Sequence, residues 1–327
     1  MKINPGAPFK VTLDKATINV SIAEEQQSLL LSKVNPVTAA LKKHNPNFKN
    51  YGAHGYKETF KLPLGNQHDL FPAEAEAHIY VQVKPWDTKK SFMRLELNGH
   101  PYTKEQYKCA ALWLDLLVGD LGLDSSAFKV TRFDIAVDVL QPLSRLAIDN
   151  PNSKSSIKCF NPEGRQSSLY IGNKSSPLQI CCYERNDNYK TRLEFRFRHK
   201  VQLPLLLEDQ QWQSSFTQLT VYDMDKVKKS CKSEFSPWLL EYISDCGLKA
   251  VMSKLPNQKR KELAKMLAPY KLKVYKPEKV KSLAYKRLQW LVAAMTNDFS
   301  DLKLPDEAVL EHCFDKAWSS LTKQKKG

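Results

Sequence analysis

The clearest pattern along this chain is a short-range alternation of apolar and polar residues, the period of a strand with one buried face. It appears at Lys10 to Ile22, where Thr17, Asn19 and Ser21 alternate with Ile18, Val20 and Ile22. It recurs at Gly55 to Leu62, His78 to Lys84 and Ser91 to Asn98, and again at Phe128 to Val139, Ser167 to Gly172, Leu178 to Glu184 and Thr191 to Arg198. The stretch from Asn173 to Pro177 predicts a hairpin turn between two of these strands.

Helical spacing is clearest at Lys104 to Leu121, where Ala110, Trp113, Leu114 and Leu117 make an apolar stripe that stops before Gly122. A helix from about Ala23 to Leu31 is expected to break at Pro36, with a short helical stretch from Val37 to Lys43. The segment from Gln141 to Gln166, rich in Asn, Pro, Ser and Gly, reads as a loop. After about Lys226 the pattern turns helical: Pro237 to Cys246, Asn257 to Leu267, Glu278 to Met295 and Asp306 to Leu321. The third of these begins just after Pro277, a favoured helix-start residue. The expected fold is therefore α+β. A largely antiparallel sheet with helices packed on one face spans residues 1–226, and a small basic helical domain spans 227–327.

A formal net charge of +15 over 327 residues directs attention to a polyanionic partner. Nucleic acid comes first and an acidic membrane surface second, with plain solubility as the simplest alternative. The seven cysteines are odd in number and form no CxxC pair, which reads as free thiols in a reducing cytoplasm. Met1 to Pro5 leads into no apolar stretch of the kind that opens a signal peptide, and no run approaches the ~18 apolar residues of a membrane span. There is no P-loop, no GxSxG elbow and no His-hydrophobic-His pair.

Pleating decides which polar residues share a face. The strand through Thr131 to Val139 buries Phe133, Ile135, Val137 and Val139 and presents Arg132, Asp134 and Asp138. The strand through Leu193 to Phe197 presents Arg192, Glu194, Arg196 and Arg198, and the one through Leu178 to Cys182 presents Gln179, Cys181, Tyr183 and Arg185. Arg94 and Glu96 join them from an earlier strand. Carboxylates gathered so closely repel unless a cation compensates, and their hard oxygens suit Mg²⁺ or Mn²⁺. Such an ion polarises a phosphate, while a tyrosine, only about a thousandth ionised at neutral pH, becomes a nucleophile once its phenolate is favoured. Alternation alone is better explained by a solvated sheet face with cross-strand ion pairs, in which Asp134 and Asp138 pair with Arg132 and Arg192.

The text of these segments resembles the rolling-circle replication initiators of the Rep_trans type, found on small staphylococcal plasmids and in filamentous phages. The family's Arg-hydrophobic-Asp-hydrophobic-Ala-hydrophobic-Asp strand is matched by Arg132 to Asp138. Its Tyr-aromatic/Ile-Gly strand with a following basic residue and serine is matched by Tyr170 to Ser176, and its Arg-hydrophobic-Glu-hydrophobic strand by Arg192 to Phe195. Met93 to Asn98 match an earlier Met-Arg-hydrophobic-Glu-hydrophobic-Asn, and Tyr183 holds the tyrosine position. The likeness covers roughly Met93 to Arg198 with strand order retained. It departs at Lys174, which stands for arginine, at Cys181-Cys182, and at Glu184-Arg185.

The resemblance implies an origin-binding protein whose tyrosine nicks one DNA strand, keeps the 5′-phosphate and releases a 3′-hydroxyl as primer. On that reading Tyr183 is the nucleophile and Asp134, Glu194, Glu96 and Asp138 hold Mg²⁺ or Mn²⁺. Arg94, Arg132, Lys174, Arg185, Arg192 and Arg196 position phosphates. Lys259, Arg260, Lys261 and Lys265, on one expected helix, grip the origin duplex. Glu184 points away from Tyr183 on a straight strand and ranks below Glu194 as a ligand. Implied partners are DNA, as origin duplex and as single strand, a host helicase and a second copy of the chain, without any membrane. A non-catalytic DNA-binding regulator on the same fold remains an alternative. An RNA-binding sheet face is weaker, since its polar side offers chiefly Tyr80, Tyr170 and Tyr183 for stacking.

Overall fold

The computed structural model describes residues 9–44, 52–65, 77–98, 102–150, 152–153, 156–160, 166–185, 189–198, 200–230, 239, 241–243, 247–273 and 275–297. The fold is α+β with a large antiparallel sheet, as the alternation predicts. Strand β1 (Phe9–Val20) leads into helix α1 (Glu24–His44), followed by β2 (Tyr56–Pro63), β3 (His78–Pro85), β4 (Met93–Asn98), α2 (Lys104–Val118) and β5 (Phe128–Val139). Then come β6 (Leu146–Asp149), β7 (Ser156–Phe160), β8 (Gln166–Ile171), β9 (Leu178–Glu184), β10 (Thr191–Phe197) and the short β11 (Val201–Gln202). The remainder is α3 (Gln210–Ser215), β12 (Thr220–Asp223), α4 (Met224–Ser230), α5 (Leu248–Lys254), α6 (Asn257–Leu267) and α7 (Pro277–Thr296).

The chain divides into two compact units that interleave along the sequence. One comprises Met1–Thr12, Asp134–Arg198 and Asp209–Ala284; the other comprises Leu13–Phe133, His199–Glu208 and Tyr285–Gly327. The change of composition at Lys226 is therefore not the edge of a unit: Lys226 lies inside α4. Helices α4, α5 and α6 share one apolar cluster with β6 and β12, in which Ala147 and Tyr222 pack with Val227, Val251, Leu263 and Leu267. A switch from strand to helix changes the periodicity of the chain without requiring a new core.

In the second unit β3 pairs with β2 on one side and β4 on the other, and β4 pairs with β1. Ile18 and Val20, Phe60 and Leu62, Ile79 and Val81, and Leu95 and Leu97 are all fully buried, which is the face the alternation assigns to the core. Helix α2 starts with a reciprocal cap between Thr103 and Gln106 and buries Ala110, Trp113, Leu114 and Leu117, as its stripe predicts. The Trp113 indole donates to the Pro63 carbonyl at 2.9 Å. One turn of 3-10 helix follows and the chain leaves at Gly122, whose φ of 62° is the left-handed conformation that glycine adopts without strain.

Two expectations of irregular structure fail here. Helix α1 runs unbroken through Pro36. A proline inside a helix forfeits one backbone hydrogen bond, but Leu30, Val34, Val37 and Leu41 lie on one buried stripe that passes straight through it, and that burial holds the helix together. The segment Gln141 to Gln166, expected as a loop, carries β6 and β7. Strand β6 pairs with β12, and β7 pairs with β8 through a register shift at Cys159 and Phe160. Strands this short leave too few positions for a period to show. The helix expected at Asp306 to Leu321, and most of the one at Pro237 to Cys246, lie outside the described residues.

In the first unit the hairpin of β8 and β9 closes at Gly172, whose φ is 85°. A Cβ there would sit 2.9 Å from the Leu178 carbonyl oxygen, so the turn depends on glycine. Strand β9 pairs with β10, and the apolar face of β10 is tightly covered. Phe195 and Phe197 meet the Phe216 ring edge-on, with centroids 4.7 and 6.2 Å apart, and Trp212 closes on Phe216 at 6.1 Å. The Tyr275 hydroxyl donates to the Phe216 carbonyl at 3.0 Å. With Phe195 and Phe197 locked into this aromatic cluster, the pleat forces Arg192, Glu194 and Arg196 to the opposite face.

Candidate active site

That opposite face, in the first unit, is built from the second half of β5 and from β8, β9 and β10. The register places Arg192 opposite Tyr183, Glu194 opposite Cys181, and Arg196 opposite Gln179. On the far side of β9, Ser168 stands opposite Tyr183 and Tyr170 opposite Cys181. Tyr183, Glu194, Asp134, Asp138, Arg192 and Arg196 thus share one face, as the alternation predicts. The face is not open to solvent in the manner expected, however. Asp134 and Asp138 are each only 1% exposed and Glu194 4%.

Glu194 is the hub. Its carboxylate accepts a 2.6 Å hydrogen bond from Arg196 Nε, and it also makes side-chain hydrogen bonds with Tyr183 and with Asp134. Burial pushes the Glu194 carboxyl up, but the hydrogen bond and charge of Arg196, with the bonds to Tyr183 and Asp134, outweigh it and hold the group below the usual carboxylate range. The Arg196 guanidinium is desolvated, yet the Glu194 carboxylate more than compensates and holds it protonated. Two carboxyl groups in hydrogen-bond contact need a proton or a cation between them. Tyr183 itself is partly exposed. A phenol at the rim of the face, hydrogen-bonded to a buried carboxylate, has a proton acceptor in direct contact.

Asp138 plays a different part. Arg192 donates to both of its oxygens, Nε to Oδ1 at 2.6 Å and Nη2 to Oδ2 at 3.0 Å, and both side chains are largely buried. Glu96 lies in the other unit, where it accepts from Lys15 Nζ at 2.6 Å and from Arg94 Nη2 at 2.7 Å. The four carboxylates expected to share an ion are therefore not a single donor set: Asp138, Glu96 and Glu194 are each paired with a basic side chain, and Glu96 lies in the other unit. Among the described residues no group of three or more His, Cys, Asp or Glu is disposed to hold a metal. Asp134 and Glu194 remain in mutual contact. This pair fits Mg²⁺ or Mn²⁺, which take one or two carboxylates and complete their shell with water and substrate phosphate oxygens.

Of the other residues expected to contact DNA, Arg94 is engaged with Glu96 and Arg132 sits partly exposed on β5, both in the second unit. Lys174 is exposed in the turn of the β8–β9 hairpin, and Arg185 follows β9, its backbone N–H donating to the Lys190 carbonyl at 2.9 Å. On α6, Lys259, Arg260, Lys261 and Lys265 are all exposed. Lys259 pairs with Glu262 at 2.9 Å, and Arg260 Nε folds back on the Leu255 carbonyl at 2.6 Å.

The structure adds two residues that alternation did not single out for chemistry. Cys181, on the polar face between Tyr170 and Glu194, hydrogen-bonds Tyr170, and its charge and that bond push the Tyr170 phenol up. Burial pushes the Cys181 thiol up, and that of Cys182 well above its ordinary value. Lys15 is the second cation on Glu96; its place on the polar face of β1 was readable, but its partner was not. No helix among the described residues is long and apolar enough to cross a membrane. No family model matches the chain, and no curated protein sequence matches it.

Proposed function

We propose that this protein nicks and rejoins one strand of DNA at a replication origin in the bacterial cytoplasm, with Tyr183 as nucleophile. The observation that carries the reading is the hydrogen bond joining the Tyr183 hydroxyl to Glu194, a carboxylate already in contact with Asp134 and Arg196. The phenol oxygen attacks the scissile phosphorus, the Tyr183 proton passes to Glu194, and the bond from phosphorus to the 3′ oxygen breaks. The departing 3′ oxygen takes up the proton, leaving a 5′-phosphotyrosine and a free 3′-hydroxyl. One phosphodiester replaces another, so the reverse reaction rejoins the strand without an energy source. Arg196, in contact with Glu194, offers its remaining N–H groups to the phosphate oxygens where negative charge accumulates. Asp134 and Glu194 would hold a divalent cation, which supplies Lewis-acid polarisation of the phosphate when bound. The net charge of +15 supplies the long-range attraction for DNA.

The test is incubation of the full chain with supercoiled DNA bearing its origin and Mn²⁺. Wild type yields open circles and a protein–DNA adduct that survives denaturation, and Tyr183→Phe yields neither. A Tyr183→Phe protein that nicks like wild type and still forms the adduct removes the tyrosine from this role. A second reading, a DNA-binding regulator without catalysis, draws on the Asp138–Arg192 ion pair, which is structural in form. It expects salt-sensitive binding and no nick under any metal condition.

A further inference from the structure

In the second unit the turn between β3 and β4 builds a basic cleft of about 520 Å³, lined among others by Lys57, Lys84, Lys89 and Lys90 and by no carboxylate. Glu58 pairs with Lys84 from β2. Asp87 is turned onto its own loop, where its Oδ1 accepts from the Lys89 backbone N–H at 2.9 Å. Three ammonium groups thus keep no carboxylate partner among the described ion pairs. Trp86 stands in the same turn, 69% exposed, with Lys57 Nζ 5.2 Å from its ring centroid. A single exposed apolar residue is ordinary on a protein surface. A tryptophan this exposed, set among lysines, is a less ordinary combination.

The cleft is organised by its backbone. Gly55 has a φ of 85°, a left-handed conformation that favours glycine, and Lys90 Nζ lies 2.1 Å from where a Cβ would sit. Lys90 Nζ donates to the His54 carbonyl at 3.1 Å and lies 5.9 Å from the Tyr56 ring. The Gly55 carbonyl in turn accepts from the Trp86 backbone N–H at 2.9 Å. The Gly55 turn is thus tied to the Trp86 backbone and lies beneath the Lys90 ammonium. His54 and Lys84 also take positive φ, 54° and 57°, a region uncommon for residues with side chains and concentrated where a structure holds a functional surface.

We infer that this cleft binds single-stranded nucleic acid, with the sugar-phosphate backbone along Lys57, Lys89 and Lys90 and an unpaired base stacked on Trp86. Lysines track a phosphate backbone without regard to sequence, and an exposed indole accepts a base only when that base is not already stacked in a duplex. None of the residues that line the cleft belongs to the nicking proposal, and the inference does not depend on it.

The experiment is fluorescence anisotropy of a labelled oligothymidylate of about 16 nucleotides, a length within the range single-strand sites occupy, with the full chain in EDTA so that no cleavage intervenes. Trp86→Ala is expected to weaken binding about tenfold or more, and Trp86→Phe, which keeps a ring, to stay within about threefold of wild type. Lys89→Ala and Lys57→Ala should each reduce the salt slope by about 0.7. A duplex of equal length should bind Trp86→Ala and wild type alike. The inference is overturned if Trp86→Ala holds the oligonucleotide within twofold of wild type. It is equally overturned if polyaspartate or anionic lipid vesicles displace the oligonucleotide from wild type at equal charge, which would mark a general polyanion surface. Because the assay reads binding alone, in EDTA and with variants confined to the cleft, loss of the nicking proposal would leave this result standing.

Discussion

Arg192 and Asp138 form a bidentate ion pair between neighbouring strands, at 2.6 and 3.0 Å, with the carboxylate side chain 2% exposed. Removing one partner of such a pair strands a charge in a dry environment and costs about 3–5 kcal/mol. Arg192→Ala should lose stability of that order in urea denaturation, and Asp138→Ala a comparable amount. A loss of nicking by either variant at unchanged stability would instead place the pair in the chemistry.

Tyr183 and Glu194 are expected to fail differently. Tyr183→Phe removes the attacking oxygen, so nick and covalent adduct both disappear while origin binding stays within about twofold. Glu194→Gln keeps the shape but not the proton acceptor, and general-base contributions are commonly about 10²–10⁴ in rate. Single-turnover nicking should fall by that factor with binding little changed. Equal losses of binding and nicking in Glu194→Gln would show that Glu194 holds the sheet together and does nothing to the tyrosine.

The Glu194 carboxyl also predicts an acid limit. Its folded-state pKa lies below the ordinary value of 4.5 because the Arg196, Tyr183 and Asp134 contacts outweigh burial. A carboxyl depressed in the folded state binds its proton more readily when unfolded, so it stabilises the fold above its unfolded pKa. That contribution declines as pH falls below about 4.5 and is gone once the pH passes the depressed folded value. Urea melts from pH 7 down to pH 3 should show the decline in wild type and a flatter profile in Glu194→Gln. Parallel profiles for the two proteins would remove Glu194 as the titrating group.

What the sequence made legible here is the set of faces. A period of two assigns Asp134, Asp138, Arg192, Glu194, Arg196 and Tyr183 to one side of the sheet, and burial of Phe195 and Phe197 on the other confirms the assignment. The period says nothing about pairing within a face. Whether Asp138 meets a cation or Arg192, and whether Glu96 faces the site or Lys15, depends on strand register and on which strands are neighbours. Those are properties of long-range packing. The same limit explains β6 and β7, too short to show a period, and Pro36, whose local cost is outweighed by a stripe of burial only visible in three dimensions. The run Trp86-Asp-Thr-Lys-Lys90 was readable as basic and aromatic, but only the fold brings Lys57 and Gly55 to it.

If Asp134 and Glu194 are the carboxylates that meet the ion, metal dependence should separate them from Asp138 and Glu96. Chelation with EDTA should abolish nicking, and Asp134→Asn should raise the Mn²⁺ concentration for half-maximal nicking by about tenfold or more, the size of effect that loss of one of few ligands produces. Glu96→Gln should leave that concentration unchanged, because Lys15 and Arg94 already neutralise Glu96. A shift in the Mn²⁺ requirement of Glu96→Gln matching that of Asp134→Asn would return Glu96 to the ligand set.

Helix α6 gives a last separation, between cations that hold DNA and one that holds the helix. Lys261 and Lys265 are exposed, and each phosphate a lysine neutralises releases a counterion, so the slope of log K against log salt for duplex binding should fall by about 0.9 for each of Lys261→Ala and Lys265→Ala. Arg260 is exposed too, but its Nε donates at 2.6 Å to the carbonyl of Leu255 just after α5, and its Nη2 reaches the Ser253 carbonyl at 3.4 Å. Its donors are thus partly committed to carbonyls left open at a helix end. Arg260→Ala should therefore change the salt slope less than the lysine variants and show its main effect as faster amide hydrogen exchange over residues 253–260. A slope change for Arg260→Ala as large as for Lys261→Ala, without faster exchange, would mean that the arginine leaves its carbonyls to bind phosphate.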